Sequence, residues 1–129
     1  MYGRLLDAAD YDGVGELFAD GTLLDPEGRE IARGRDDVRD FYRRTVILRD
    51  GSPRTEHATT EIEISLEGDR ATARSRFLTH MEGVQVAAGR YEDTFMRDGD
   101  IWRFTTRRFF LDDARGLSTH VRLPQSKAT

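Results

Sequence analysis

The sequence predicts an α+β domain: a curved antiparallel sheet with three N-terminal helices packed on its concave face. Three observations carry this. Apolar residues recur at a helical period before residue 50, the period drops to two from Thr55 onward, and glycine-bearing turns divide the second half into long strands. A chain of 129 residues is long enough for one core, so a single domain is expected over 1–113. A polar tail over 114–129, ending in Gln-Ser-Lys-Ala-Thr, is expected to fray.

The first helix places Tyr2, Leu5, Leu6 and Ala9 on one face. Asp10 or Asp12 can cap a second short helix carrying Val14, Leu17 and Phe18. Asp20-Gly21 reads as its stop, because glycine enters the left-handed conformation that a helix end favours. Thr22 to Asp25 is short, β-prone and closed by Pro26, which has no N–H for a sheet. Glu27-Gly28 turns the chain into a second short strand, and Gly34 releases it into the third helix. There Asp36 and Asp37 sit in the first turn, where the helix end favours carboxylates. Val38, Phe41, Tyr42, Thr45 and Leu48 make its apolar stripe. After a polar loop through Pro53, strands are expected near 55–66, 70–82, 84–97 and 101–112. Glu67-Gly68-Asp69, Glu82-Gly83 and Asp98-Gly99-Asp100 are hairpin turns.

Composition narrows the function. Net charge is −4, so there is no general attraction to nucleic acid or anionic lipid, and neither partner is expected. No apolar run approaches a membrane span, no signal peptide leads the chain, and cysteine is absent. These features fit a cytoplasmic protein and exclude a thiol nucleophile and thiolate metal sites. His57, His80 and His120 are the only histidines, and no two share ligand spacing on one element, so no metal is expected. Gly13 and Gly15 lack the preceding strand and third glycine of a dinucleotide loop. Arg103, Arg107 and Arg108 alternate with Trp102, Phe104, Phe109 and Phe110, but strand alternation splits them between two faces. Arg107, which shares a face with Thr105 and Phe109, is the one expected to face the cavity.

One constellation remains. His57 opens the first long strand and His80 ends the next, so a hairpin brings both to one sheet edge. Tyr2 and Asp7, on the first helix, can converge there.

Several stretches carry a resemblance: "LFAD" closing a helix, a strand ending in "DP", then "G-R-x-x-V-x-x-F-Y", with "A-G-R-Y-E-D" over 88–93 and "W-R-F-x-x-R-R" over 102–108. Together they resemble the SnoaL-like family, in the cone-shaped nuclear transport factor 2 superfamily. The resemblance spans Tyr2 to Leu111. Relatives include scytalone dehydratase, bile-acid dehydratase, ketosteroid isomerase, limonene epoxide hydrolase and polyketide cyclases. In the dehydratases the site residues correspond to Tyr2, Asp7, His57 and His80. The resemblance then implies a cofactor-free lyase or isomerase acting on a small cyclic carbonyl compound such as a polyketide or steroid. His57 would be the base, Asp7 its orienting carboxylate, Tyr2 the carbonyl's donor and His80 the acid.

In ketosteroid isomerase the base is the aspartate of the "DP" turn, here Asp25, and its acid partner falls near Glu92. Phe41, Tyr42, Arg90, Glu92 and Arg107 are the expected substrate contacts. The fold also serves as the small subunit of ring-hydroxylating dioxygenases, so a non-catalytic binding or structural role is the alternative. Alternation limits these readings, because Arg76, Leu78 and His80 share one face while Phe77, Thr79 and Met81 share the other. Only one face lines a cavity; if it is the Phe77 face, His80 is lost and Asp25 with Glu92 becomes the better pair. A homodimer is expected through the outer sheet face. With Arg90 and Glu92 facing inward, that face would expose Tyr91 and Phe95, alongside Trp102, Phe104 and Phe110 of the last strand.

Overall fold

The computed structural model describes residues 2–122, apart from the Thr119 side chain. Helices α1 (Tyr2–Asp7) and α2 (Tyr11–Leu17) lead into strands β1 (Thr22–Leu24) and β2 (Glu30–Arg33). Helix α3 (Gly34–Thr45) follows, then four long strands: β3 (Thr55–Glu67), β4 (Arg70–Met81), β5 (Val84–Asp98) and β6 (Ile101–Asp113). The sheet order is β2-β1-β6-β5-β4-β3. The fold is the expected α+β type. Asp10 caps α2, its carboxylate accepting the Gly13 N–H at 2.9 Å. Helix α3 stops at Thr45, so Leu48 leaves the apolar stripe and is exposed.

One pairing departs from the expected antiparallel sheet: β1 lies parallel to β6, with Leu23 opposite Arg107. No hairpin joins these strands, so nothing forces them antiparallel. The end of α2 delivers β1 to this place, because Phe18 stacks on Phe104 with ring centroids 4.7 Å apart. Gly21 does not adopt the left-handed conformation expected of it. It is needed for close approach, since a Cβ there would lie 2.5 Å from the Phe104 carbonyl oxygen.

Alternation decides the inner face. Along β4, Ala71, Ala73, Ser75, Phe77 and Thr79 are buried, and along β5 Ala87, Tyr91 and Asp93 are buried. Val14, Phe18, Leu23, Val38 and Phe104 form the main core between the helices and the sheet. The other strand faces point outward, which corrects three expectations. His80, Arg90 and Glu92 lie on the outer face. The apolar patch expected there from Tyr91, Phe95 and Phe104 does not exist: Tyr91 and Phe104 are buried and Phe95 packs against the core. On β6 strict alternation fails. Thr94 pairs with Thr106 while Phe95 pairs with Phe104, so Thr105 is an extra, bulged residue. The bulge turns both Phe104 and Arg107 inward.

Residues 114–122 pack against the domain. Val121 forms an antiparallel bridge with Val46, the Ile47 N–H donates to the His120 carbonyl at 2.9 Å, and His120 is buried. Residues 123–129, including the expected frayed Gln-Ser-Lys-Ala-Thr, lie outside the described residues.

The tightest backbone approach is at Gly89 on β5, where a Cβ would sit 1.9 Å from the Phe110 carbonyl oxygen and 2.8 Å from the Phe77 ring. Gly89→Ala must therefore push β6 and Phe77 apart together. We expect it to cost about 3 kcal/mol, read as a lowered midpoint in urea unfolding followed by circular dichroism.

Candidate active site

The inner sheet face, the helices and the 114–122 segment border an open cavity of about 460 Å³. Its lining is mostly apolar, including Leu6, Leu23, Phe41, Phe77, Phe109 and Leu117. Tyr2, Tyr42, His57, Thr79 and His120 supply polar atoms, with Asp25 also on the lining. This size and balance suit a small, largely apolar molecule.

One wall is built where α1 meets β3. Asp7, on the last turn of α1, accepts the Thr55 hydroxyl at 2.8 Å and the His57 backbone N–H at 2.9 Å. Its Oδ1 also lies 2.5 Å from His57 Nδ1. Close approach of the helix is possible because Gly3 carries no side chain; a Cβ there would stand 3.0 Å from His57 Cβ. Burial alone would raise the Asp7 pKa, but the hydrogen bonds from His57 and Thr55 outweigh it and the pKa is lowered. An ionised Asp7 accepting from Nδ1 leaves Nε2 as the basic nitrogen of the neutral ring.

A second wall is aromatic. The Tyr2 and Tyr42 hydroxyls are hydrogen-bonded to each other. Burial holds both phenols, and Tyr91, above the ordinary range, so they stay protonated. In such a pair one hydroxyl proton is used internally and the other is free to donate to a ligand. Behind them Arg107 forms a two-bond ion pair with Asp93 at 2.8 and 2.9 Å. The Arg107 guanidinium carbon lies 3.7 Å from the Tyr91 ring centroid and 4.5 Å from that of Tyr2. Burial would lower the Arg107 pKa, but Asp93 raises it, so the charge is permanent.

The expected site residues therefore divide. Tyr2, Asp7, His57, Phe41 and Tyr42 come together. Arg107 faces inward but packs against the Tyr2 and Tyr91 rings, engaged with Asp93, and is not among the residues lining the cavity. His80 sits opposite Glu56 and Gln85 on the outer face. Glu92 stands there between Arg74 and Arg108 in the strand register. Arg90 is beside it, over Phe110 and 3.6 Å from Asp112. Asp25 reaches the cavity but is occupied, with Oδ1 accepting the Glu27 and Arg29 N–H groups and Oδ2 the Arg29 side chain. Desolvation raises its pKa, but the Arg29 and Glu27 interactions together prevail and lower it, which makes a weaker base. The pairing of Asp25 with Glu92 is thus absent. Among the described residues no group of three potential ligands is placed to hold a metal, and no helix is long and apolar enough to cross a membrane.

The sequence reading missed Asp93, Tyr91, Thr79 and His120. Asp93 stands directly opposite Arg107 across β5 and β6, a pairing that follows from the hairpin register once the bulge is known. His120 carried no signal, because its place depends on the bridge between Val46 and Val121. Its ring centroid lies 5.6 Å from that of His57. Burial, helped by the nearby His57, lowers the His120 pKa to about 4.

Residues 1–108 match the family of SnoaL-like domains. Among solved structures the chain is similar to a substituted form of Rv3472, a protein of unknown function from Mycobacterium tuberculosis, at 26% identity and a TM-score of 0.71. That match covers 86% of this chain and 65% of the other, so the chain spans about two-thirds of that protein's length. It is similar to a proposed scytalone dehydratase from Novosphingobium aromaticivorans at 21% identity and a TM-score of 0.67, covering 87% and 77% of the two chains. An NTF2-like protein with a cystatin-like fold from the same organism matches at 22% identity and a TM-score of 0.69, covering 92% and 80%. The last two likenesses speak to the fold alone. No curated protein matches the chain.

The depressed pKa of His120 sets a pH dependence of stability. Its folded value, about 4, lies below the ordinary histidine value of about 6.5, so protonation favours the unfolded chain. Its contribution is complete above the unfolded value and is lost as pH falls from there toward the folded one. Urea unfolding of the wild type and of His120→Phe across this window should show the wild-type curve falling more steeply toward acid. Parallel curves would contradict the buried, neutral histidine.

Proposed function

The chain belongs to the SnoaL-like family, and on that premise we propose that it is a cofactor-free acid–base enzyme, a lyase or isomerase of a small cyclic carbonyl compound of polyketide or steroid type. The observation that carries this is the Asp7–His57 pair on the wall of an apolar cavity that a hydrogen-bonded tyrosine pair also lines.

His57 Nε2 takes a proton from the carbon next to the substrate carbonyl, and the C–H electron pair moves onto the carbonyl oxygen. Asp7 holds the ring in the right tautomer and stabilises the imidazolium. The free hydroxyl proton of the Tyr2–Tyr42 pair donates to the enolate oxygen, in an apolar setting where such a bond is strong. Arg107, lying against the Tyr2 and Tyr91 rings, favours negative charge at that end. The electron pair then returns from oxygen. In a β,γ-unsaturated ketone the imidazolium hands its proton to the γ carbon of the dienolate, giving the conjugated isomer; in a β-hydroxy ketone it hands it to the departing hydroxyl, giving an enone and water. With His80 on the outer face, His57 serves as both base and acid in either case.

The test is deuterium wash-in to 2-tetralone, a general probe for proton abstraction next to a carbonyl, followed by mass spectrometry. The wild type should accelerate exchange, and His57→Ala should lower the catalysed rate by about 10²–10⁴-fold with an unchanged circular dichroism spectrum. Equal rates in the two proteins would refute His57 as the base.

A further inference from the structure

We propose that the Thr79 hydroxyl contacts the ligand, pairing with the β-hydroxyl of a β-hydroxy ketone, the group that departs in the lyase reaction. This rests on the reading of the cavity as the site of a cyclic ketone, but the contact itself does not require His57 to be the base.

Thr79 owes its place to alternation along β4. It shares the buried inner face with Ser75 and Phe77, while the next residue, His80, points outward. Thr79 stands directly opposite His57 on β3 and opposite Ala87 on β5, and all three line the cavity. Residues paired this way have Cβ atoms about 5 Å apart, so the hydroxyl-bearing side chain and the imidazole stand side by side on one wall. Ala87 brings only a methyl group to the row. Thr79 is 2% exposed, and its hydroxyl has no hydrogen-bond partner among the described residues. The side-chain atoms there that are both unpaired and shut off from solvent are Tyr11 Oη, Arg103 Nε and His120 Nδ1. The Thr79 hydroxyl is unpaired without being shut off, so its remaining surface meets the cavity that the residue lines.

A β-hydroxy ketone has two polar atoms to place. The carbonyl oxygen belongs to the Tyr2–Tyr42 pair, which leaves the hydroxyl. In the lyase reaction the C–O bond breaks and its electron pair goes to the departing oxygen. That oxygen takes the proton that His57 Nε2 removed from the carbon next to the carbonyl. It therefore lies on the face of the ligand that His57 meets, and the neighbour of His57 across β4 is Thr79. A threonine hydroxyl does not ionise near neutral pH, so it donates a hydrogen bond to the oxygen and keeps its own proton. Thr79 thus makes from the inner face of β4 the polar contact that His80, on the outer face, cannot make. In an apolar cavity such a bond is stronger than in water, and a ligand without the hydroxyl leaves the threonine unpaired.

The probes are 1-tetralone and 3-hydroxy-1-tetralone, which differ only by a hydroxyl on the β carbon. Loss of water from the second gives 1-naphthol, read by its fluorescence. Calorimetric titration of the full chain carrying His57→Ala, which keeps the hydroxy ketone intact, should show one enantiomer binding about tenfold tighter than 1-tetralone, the scale of one well-made hydrogen bond. Adding Thr79→Val, which removes the hydroxyl at nearly constant shape, should bring that ratio close to unity, and Thr79→Ser should keep most of it. With His57 in place, Thr79→Val should slow naphthol formation about tenfold more than it slows deuterium wash-in to 1-tetralone. If Thr79→Val fails to fold, Thr79→Ala replaces it in both measurements. A binding ratio that depends on Thr79 in a chain that catalyses neither reaction would support the contact and refute His57 as the base. Equal affinities for the two ketones, a ratio that survives Thr79→Val, or equal slowing of the two reactions would overturn the proposal.

Discussion

The wall of the cavity where α1 meets β3 depends on one carboxylate. Helix α1 has six residues, far too few to persist alone. Asp7 ties it to β3 through Thr55, the His57 backbone and the His57 ring. The same bonds that dock the helix fix the orientation of the imidazole, so docking and chemistry share one set of atoms. Burial works against an ionised Asp7, but its donors outweigh that penalty. The carboxylate can hold both helix and ring only while it remains an acceptor, which couples the integrity of this wall to the state that orients His57.

The second wall depends on the ion pair of Arg107 with Asp93, both nearly inaccessible to solvent. Such a pair adds little net stability compared with an apolar replacement, yet loss of one partner strands the other charge in the interior. Its value here is positional. It locks β5 to β6 at the bulge and provides the cationic floor on which the Tyr2 and Tyr91 rings rest. Tyr2 then joins the two walls, because it belongs to the helix that Asp7 anchors and bonds to Tyr42 of α3.

Much of this was legible in the residues. The switch of period at Thr55 located the four long strands, and hairpin topology placed His57 within reach of the first helix. Alternation alone divides a strand into two faces without naming the inner one, and for that reason His80, Arg90 and Glu92 stood as candidates alongside the alternative that the Phe77 face is the inner one. A stronger signal was available: Arg74 and Arg76 share the face of His80, while Ala71, Ala73, Ser75 and Phe77 share the other, and arginines in a row belong in water. The Thr105 bulge has no signature of its own, so the joint inward turn of Phe104 and Arg107 could not be foreseen. His120 was invisible for a different reason. Its position comes from a bridge between residues far apart in sequence, and such contacts leave no periodic trace.

The central claim is that Asp7 presents His57 to the cavity as a base through Nε2. Nitrogen NMR of selectively labelled histidine measures this directly, by locating the proton on the neutral His57 ring. The account predicts that the proton resides on Nδ1, toward Asp7, and that it redistributes toward Nε2 in Asp7→Ala. A neutral ring protonated on Nε2 in the wild type would contradict it.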